Sequence, residues 1–238
     1  MKSIPKLFYR IACASMLCLG TQCELDVVDN ERFLVTGTLV DTDANSLSNI
    51  NVVIYAADNN FFNESKAVFT FGHAQSDNKG FYQFTSLVPN QALHIRINHP
   101  EEAFHNEGII TKEFIDLPSP RVIDFKFDTG QVILSKITQG TFKIIRNTST
   151  QDTLNYRVYC SNTIQRIKLT KQDDQLGNEL LCASGTMLPT ENEQLINLDR
   201  LVEKDTLRFE YSLRNQTQLL VNTLKLVPNE NQTYEFEF

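Results

Sequence analysis

The 238-residue sequence has no tryptophan, nine glycines, seven prolines, five cysteines and four histidines. So few glycines and prolines exclude collagen-like chains and proline-rich linkers. No apolar run reaches the ~20 residues that a membrane-spanning helix needs. Cations are the minority, with 22 Lys and Arg against 29 Asp and Glu, a formal charge of −7. A chain of that sign offers no electrostatic footprint for nucleic acid, and no such partner is expected. Apolar residues nowhere recur at i, i+3, i+4 and i+7 over several turns, so long amphipathic helices are not expected. What is present is an ordinary folding composition, 41% hydrophobic and 21% charged.

Residues 1–22 read as an address. Lys2, Lys6 and Arg10 form a basic segment without acids, and residues 11–20 (IACASMLCLG) form a ten-residue apolar segment. That is the length of a secretory core and too short to span a bilayer. Cys23 follows, then the acids Glu24 and Asp26. The segment resembles a bacterial lipoprotein signal, which implies acylation of Cys23 and a membrane partner reached through that lipid. Gly20 and Gln22 depart from the usual residues before such a cysteine. The competing reading is an ordinary signal peptide cut after Gly20. Loss of the leader removes three cations and no anion, taking −7 to −10. It also removes Cys13 and Cys18, leaving Cys23, Cys160 and Cys182. In an oxidising compartment Cys160 and Cys182 can pair, which leaves Cys23 as the odd cysteine. The other reading of the pair is two buried free thiols. A cell-envelope location, on the periplasmic or surface face of an outer membrane, is expected.

Beyond the leader, apolar residues alternate with period two. Phe33, Val35, Gly37 and Leu39 share one face, as do Ile50, Val52 and Ile54; Leu93, Ile95 and Ile97; Ile123, Phe125 and Phe127; Leu207, Phe209 and Tyr211; and Tyr234, Phe236 and Phe238. Such alternation predicts strands with one buried and one wet face. The fold class expected is all-β: two small antiparallel β-sandwich domains, of the general immunoglobulin-like layout. Residues 23–32 read as an acidic tether, 33–128 as the first sandwich and 129–238 as a second one of no assigned family. Residues 99–107 are expected as an irregular loop with a short helical turn at best.

A resemblance rests on VTGTLVD at 35–41, LSNINV at 47–52, DNKGFYQF at 77–84 and LVP at 87–89. Together these resemble the carboxypeptidase regulatory-like domain, a seven-stranded transthyretin-like sandwich, over residues 33–100. Its members are generally non-catalytic modules. Departures are Ser46, where the family usually has proline, and the long connection at 58–75. Each piece also reads physically. Residues 41–46 and 77–80 are turns, with Asp side chains capping their own backbone and Gly80 supplying a left-handed residue.

Candidate chemistry is sparse. The sequence holds no G-x-S-x-G, H-E-x-x-H, Walker loop or dinucleotide fingerprint. Asp41, Asp43 and Asn45 open like a calcium loop, but Ser46 and Val52 occupy the positions where such a loop needs Gly and Glu, so the turn is expected. His94, His99 and His105 fall near Glu101 and Glu102, without metal-site spacing, and no metal or cofactor is expected. The pattern His94-x-Arg96 invites comparison with transthyretin-like hydrolases, whose C-terminal motif is absent. The triplets Asp152-Thr153-Leu154 and Asp205-Thr206-Leu207 resemble an O-glycosylation acceptor, and neither is taken as a site. Phe61 and Phe62, adjacent in a polar stretch, are the candidate contact for a ligand or partner; otherwise they close over the core. The function expected is a non-enzymatic envelope lipoprotein, a scaffold or accessory binding module. The alternative is a glycan- or peptide-binding component of a nutrient-uptake system, and the third reading is a hydrolase whose site assembles around His99 or His105.

Overall fold

The computed structural model describes residues 27–57, 68–118, 120, 123–147, 152–169, 175–176, 179–213, 220–225 and 232–238. Cys23, Phe61 and Phe62 lie outside these residues, as does the leader. Every regular element among them is a strand: β1 (Val27–Val40), β2 (Asn51–Ala57), β3 (Val68–Gln75), β4 (Phe81–Pro89), β5 (Leu93–Ile97), β6 (Thr111–Ile115), β7 (Lys126–Ile133), β8 (Ile137–Ile145), β9 (Leu154–Ser161), β10 (Ile164–Lys168), β11 (Gln175–Leu176), β12 (Glu179–Met187), β13 (Glu193–Val202), β14 (Thr206–Leu213), β15 (Leu220–Lys225) and β16 (Gln232–Glu237).

Alternation builds two cores, because successive side chains of a strand point to opposite faces. In the first, a three-stranded sheet β4-β1-β7 faces a six-stranded sheet β11-β10-β6-β5-β2-β3. Val35, Leu39, Ile54, Ile95, Ile97 and Tyr82 fill the space between them. In the second, the sheet β12-β9-β14-β15 faces β13-β8-β16. Its filling is Phe142, Ile144, Leu154, Val158, Phe209 and Phe236 among others. The all-β sandwich architecture is therefore as the alternation predicts. Most pairings are antiparallel, but β1 with β7, β6 with β10 and β8 with β16 are parallel.

Four details depart from the sequence reading. Part of the stretch read as a tether is strand, since Val27 opposes Pro89 and Arg32 opposes Leu87. The division expected at 128/129 falls inside β7, whose Val132 enters the first core together with Leu134 and, from β13, Val202. Alternation at Ile123, Phe125 and Phe127 does not extend a strand. Asp124 and Phe125 are left-handed, with φ of 50° and 56°, and Lys126 N–H closes a turn on Ile123 O. Finally, β10 and β11 come from the second half of the chain yet complete a sheet of the first sandwich.

That last feature is an excursion. β9 belongs to the second sandwich; the chain leaves it at Ser161, lays β10 beside β6 and returns at β12. Asn162 Oδ1 accepts the Ile164 N–H at the turn, and Thr111 N–H donates to Thr163 O. Cys160 and Cys182 are disulfide-bonded at the base of the excursion, with Cα atoms 5.8 Å apart. The register of β12 on β9 shifts between Leu181 and Ala183, so Cys182 sits at an irregularity in the ladder. Cys160 is buried in the second core, whereas Cys182 is exposed.

The two turns read from sequence form as the residues dictate. Asp41 Oδ1 accepts the N–H groups of Asp43 and Asn45, each at 2.9 Å, and Oδ2 accepts Asn45 Nδ2. Burial raises the Asp41 pKa, but those hydrogen bonds and Lys136 outweigh it and hold the carboxyl below the usual range. Asp77 Oδ1 repeats the pattern with Lys79 and Phe81. Gly80 has φ +76°, and a Cβ there would run into Leu39 O. The first turn also docks on the second half, where Lys204 Nζ lies 2.6 Å from Asp43 and Thr42 Oγ1 donates to Glu203.

Candidate functional site

The six-stranded sheet has a polar outer face, which the same alternation creates. Opposite the core residues Ile54, Ile95 and Phe114, each strand turns the next side chain outward. Register then aligns Val53 with Arg96, Arg96 with Glu113, and Glu113 with Arg166 across β2, β5, β6 and β10. Glu113 is only 2% exposed. Its Oε2 accepts from Arg166 Nε at 2.7 Å, and Oε1 lies 3.1 Å from Arg96 Nε. Arg96 also places its Cζ 4.0 Å above the Tyr55 ring, a cation–π contact. Burial first, and the Glu113 charge second, push the Tyr55 hydroxyl pKa up. Two guanidinium groups thus hold one buried carboxylate, an arrangement costly to break from either side. On the inner side of β6, burial alone lowers the Lys112 pKa.

A loop, residues 99–107, runs over this face, and Asn98 fixes its shape. Asn98 is fully buried and left-handed, with φ 58°. Its Nδ2 donates to Asn106 O and Ile109 O at 2.9 and 2.8 Å, while Oδ1 accepts the Asn106 N–H. Thr111 Oγ1 donates to Asn98 O at 2.7 Å. His99 follows, with Nδ1 accepting the Glu101 N–H at 3.3 Å and Nε2 3.5 Å from Glu113 Oε1. An accepting Nδ1 assigns the proton to Nε2, on the side of Glu113. Burial first, then Arg96, lowers the His99 pKa, so the ring is neutral at neutral pH.

Clefts flank the loop. One, of about 540 Å³, lies between the loop and the β2–β3 face; Asn51, Thr70, His73, Gln75, Glu102 and Phe104 line it over a floor that includes Val53. Asn51 is 7% exposed; Nδ2 donates to Ala103 O at 3.0 Å, while Oδ1 has no hydrogen-bond partner. Phe104 is 71% exposed and left-handed, with φ 64°. The other, of about 600 Å³, is lined by His105 and Glu107 from the loop and by Gln139 and Arg200 from β8 and β13.

The three histidines singled out in the sequence go to separate tasks. His94 packs against Tyr55 in a tilted pair, 5.1 Å between centroids, and accepts the Asp116 N–H on Nδ1. His99 meets Glu113, and His105 lines the larger cleft. Among the described residues no group of three or more His, Cys, Asp or Glu side chains converges to hold a metal. Leu154, the last residue of one glycosylation-like triplet, is fully buried. Sequence reasoning missed Glu113, Asn98, Asn51 and Phe104. Glu113 carried a weak signal, a lone acid within the apolar-rich run IITKEFI at 109–115. Its partner Arg166 is 53 residues away, on a strand whose neighbour no local pattern names.

No family model matches the chain, and no curated protein matches it. Solved structures show a distant likeness. The Bacillus anthracis TIE protein aligns over 88% of this chain and 34% of its own, at 12% identity and a TM-score of 0.29. A streptococcal ancillary pilin aligns over 88% and 63%, at 10% identity and a TM-score of 0.35. The shaft pilin SpaA of Lactobacillus rhamnosus GG aligns over 87% and 97%, at 10% identity and a TM-score of 0.31. The chain thus spans about a third of the first of these proteins and less than two thirds of the second. The likeness is one of architecture, and nothing about activity or partners follows from it.

Proposed function

We propose that this chain is a non-catalytic binding or scaffold module of a bacterial cell envelope, held to its membrane by a lipid on Cys23. The observation that carries the reading is the Cys160–Cys182 bond. Such a bond persists in oxidising compartments, and it leaves Cys23 as the unpaired cysteine after the leader. The basic and apolar segments of residues 1–22 and the acids after Cys23 support the same address. The resemblance to a carboxypeptidase regulatory-like domain fits the Asp77–Gly80 turn and belongs to this reading. So does the ionic cluster, in which Arg96, Arg166, His99 and Glu113 engage one another and help hold a loop in place.

The test is fractionation. The wild-type chain partitions with membranes and into detergent, and Cys23→Ala or globomycin treatment moves it to the soluble fraction or stalls it as precursor. Unchanged membrane retention in the Cys23→Ala chain overturns the lipid anchor. A hydrolase panel with turnover that Glu113→Gln abolishes overturns the non-catalytic part. A second reading, ligand capture for nutrient uptake, is favoured by the 540 Å³ cleft beside Phe104.

A further inference from the structure

Three departures from ordinary folding meet in the cleft between the 99–107 loop and the β2–β3 face. Phe104, a bulky aromatic, is 71% exposed. It also adopts φ 64°, a conformation that L side chains other than Asn and Asp seldom take. Asn51, nine-tenths buried, has its amide direction fixed by the bond from Nδ2 to Ala103 O, and its Oδ1 is left without a partner. Local rules are broken together mainly where a structure is committed to a task. Loose packing does not explain the strain, because Asn98 pins the loop at Asn106 and Ile109.

The lining chemistry defines the occupant. Gln75 supplies an amide, His73 an imidazole, Thr70 a hydroxyl and Glu102 a carboxylate, and Val53 supplies an apolar floor. No Lys or Arg lines the cleft. A phosphate, sulfate or uronate would meet Glu102 with no cation to offset it, which disfavours acidic ligands. Amide and carboxylate groups pair well with neighbouring hydroxyls, and an exposed ring packs against an apolar C–H face. The volume, about 540 Å³, falls within the range of small-ligand sites. We propose that this cleft binds a neutral saccharide, with Phe104 as the stacking wall and Gln75 and Glu102 as the hydroxyl-reading groups. The proposal deepens, and rests on, the reading of the chain as a binding module.

The test is native affinity electrophoresis of the detergent-solubilised full chain. The gels contain soluble starch, β-glucan, galactomannan or xylan, with polygalacturonate as the acidic comparison. Titration calorimetry with the matching neutral oligosaccharides follows. The expected result is retardation by at least one neutral polymer and none by polygalacturonate. Phe104→Ala then weakens binding tenfold or more and Gln75→Ala severalfold, both with an unchanged Tm because neither side chain belongs to a core. Absence of retardation by every neutral polymer overturns the proposal. So does preference for polygalacturonate, binding indifferent to both substitutions, or selective capture of unglycosylated peptides at the cleft. Membrane partition is scored on the same preparations, so a failed saccharide site with intact anchorage is distinguishable from failure of the envelope reading itself.

Discussion

Around Phe209 the second core is aromatic, with ring centroids of Phe142 and Phe236 at 4.8 and 4.5 Å and Tyr211 at 5.7 Å. Around Ile95 the first core is aliphatic, built from Ile50, Val52, Ile54, Ile97 and Ile110 with Phe33 and Tyr82 at its flanks. Polar burial divides even more unevenly. Among the described residues, Asp41, Asn51, Asn98, His99, Thr111 and Glu113 are buried on the first sandwich, while Glu210 is the buried charged residue of the second. The second sandwich is held by packing alone to a greater degree. The first adds hydrogen-bonded and ionic constraints that fix a loop and its clefts. Buried apolar surface is non-directional, whereas buried polar groups demand particular partners. Stability and shape are thus secured by different chemistry in the two halves.

The largest expected effect tests the packing half. Phe209→Ala removes the ring at the centre of the aromatic cluster, fully buried in the structure, and is expected to cost about 5 kcal/mol. Urea unfolding followed by tyrosine fluorescence should show the second sandwich melting well before wild type. A loss below about 1 kcal/mol would mean that the aromatic cluster does not carry this half.

The next effect tests the polar half. Glu113→Ala removes the buried carboxylate from between Arg96 and Arg166, leaving Arg96 only the exposed Glu101 carboxylate at 3.6 Å, and is expected to cost about 4 kcal/mol. Arg166→Ala should cost less, since Arg166 is largely exposed. In a double-mutant cycle the two losses should be less than additive, because they share one interaction. Additive losses would show that Arg166 and Glu113 do not act together.

These residues also mark what a sequence can disclose. Alternation found β1, β2, β5, β14 and β16, because a one-sided strand writes its period directly into the chain. The Asp41 and Asp77 turns were legible too, since each is satisfied by residues two to four positions away. Ile123, Phe125 and Phe127 misled because a two-residue left-handed turn interrupts a pattern that composition alone continues. The site was nearly illegible. Its groups come from β2, β5, β6 and β10, and the parallel placement of β10 beside β6 is set by an excursion from the other sandwich. Asn98 looks like any strand-end Asn until its left-handed backbone and three-way amide bonding are seen.

A smaller effect concerns the link between the halves. Reduction of the Cys160–Cys182 bond opens a loop with a sequence separation of 22, which the chain-entropy model values at about 3 kcal/mol. Because the bond closes the base of the excursion, the loss should appear locally. Amide exchange should accelerate at residues 164–168 and at their β6 partners before it does so in β2 or β5. Uniform acceleration across both sandwiches would instead make the bond a global brace, and the contrast between the halves would lose its junction.

The smallest effect is a pH dependence confined to the first sandwich. His99 faces Arg96, Glu101, Glu102 and Glu113, and burial with Arg96 depresses its folded pKa below the ordinary value of 6.5. Below 6.5 the unfolded chain therefore takes up its proton more readily than the folded one. The stability contributed by neutral His99 is fully present above 6.5 and is lost as pH falls through the depressed folded value. Thermal unfolding measured from pH 8 down to pH 5 should show a decline in Tm that His99→Gln reduces. Phe209→Ala should leave the slope unchanged, since the second core contains no part of this network. A slope identical in wild type and His99→Gln would assign the pH response to the carboxylates, among them Asp41, whose lowered pKa acts with the same sign at lower pH.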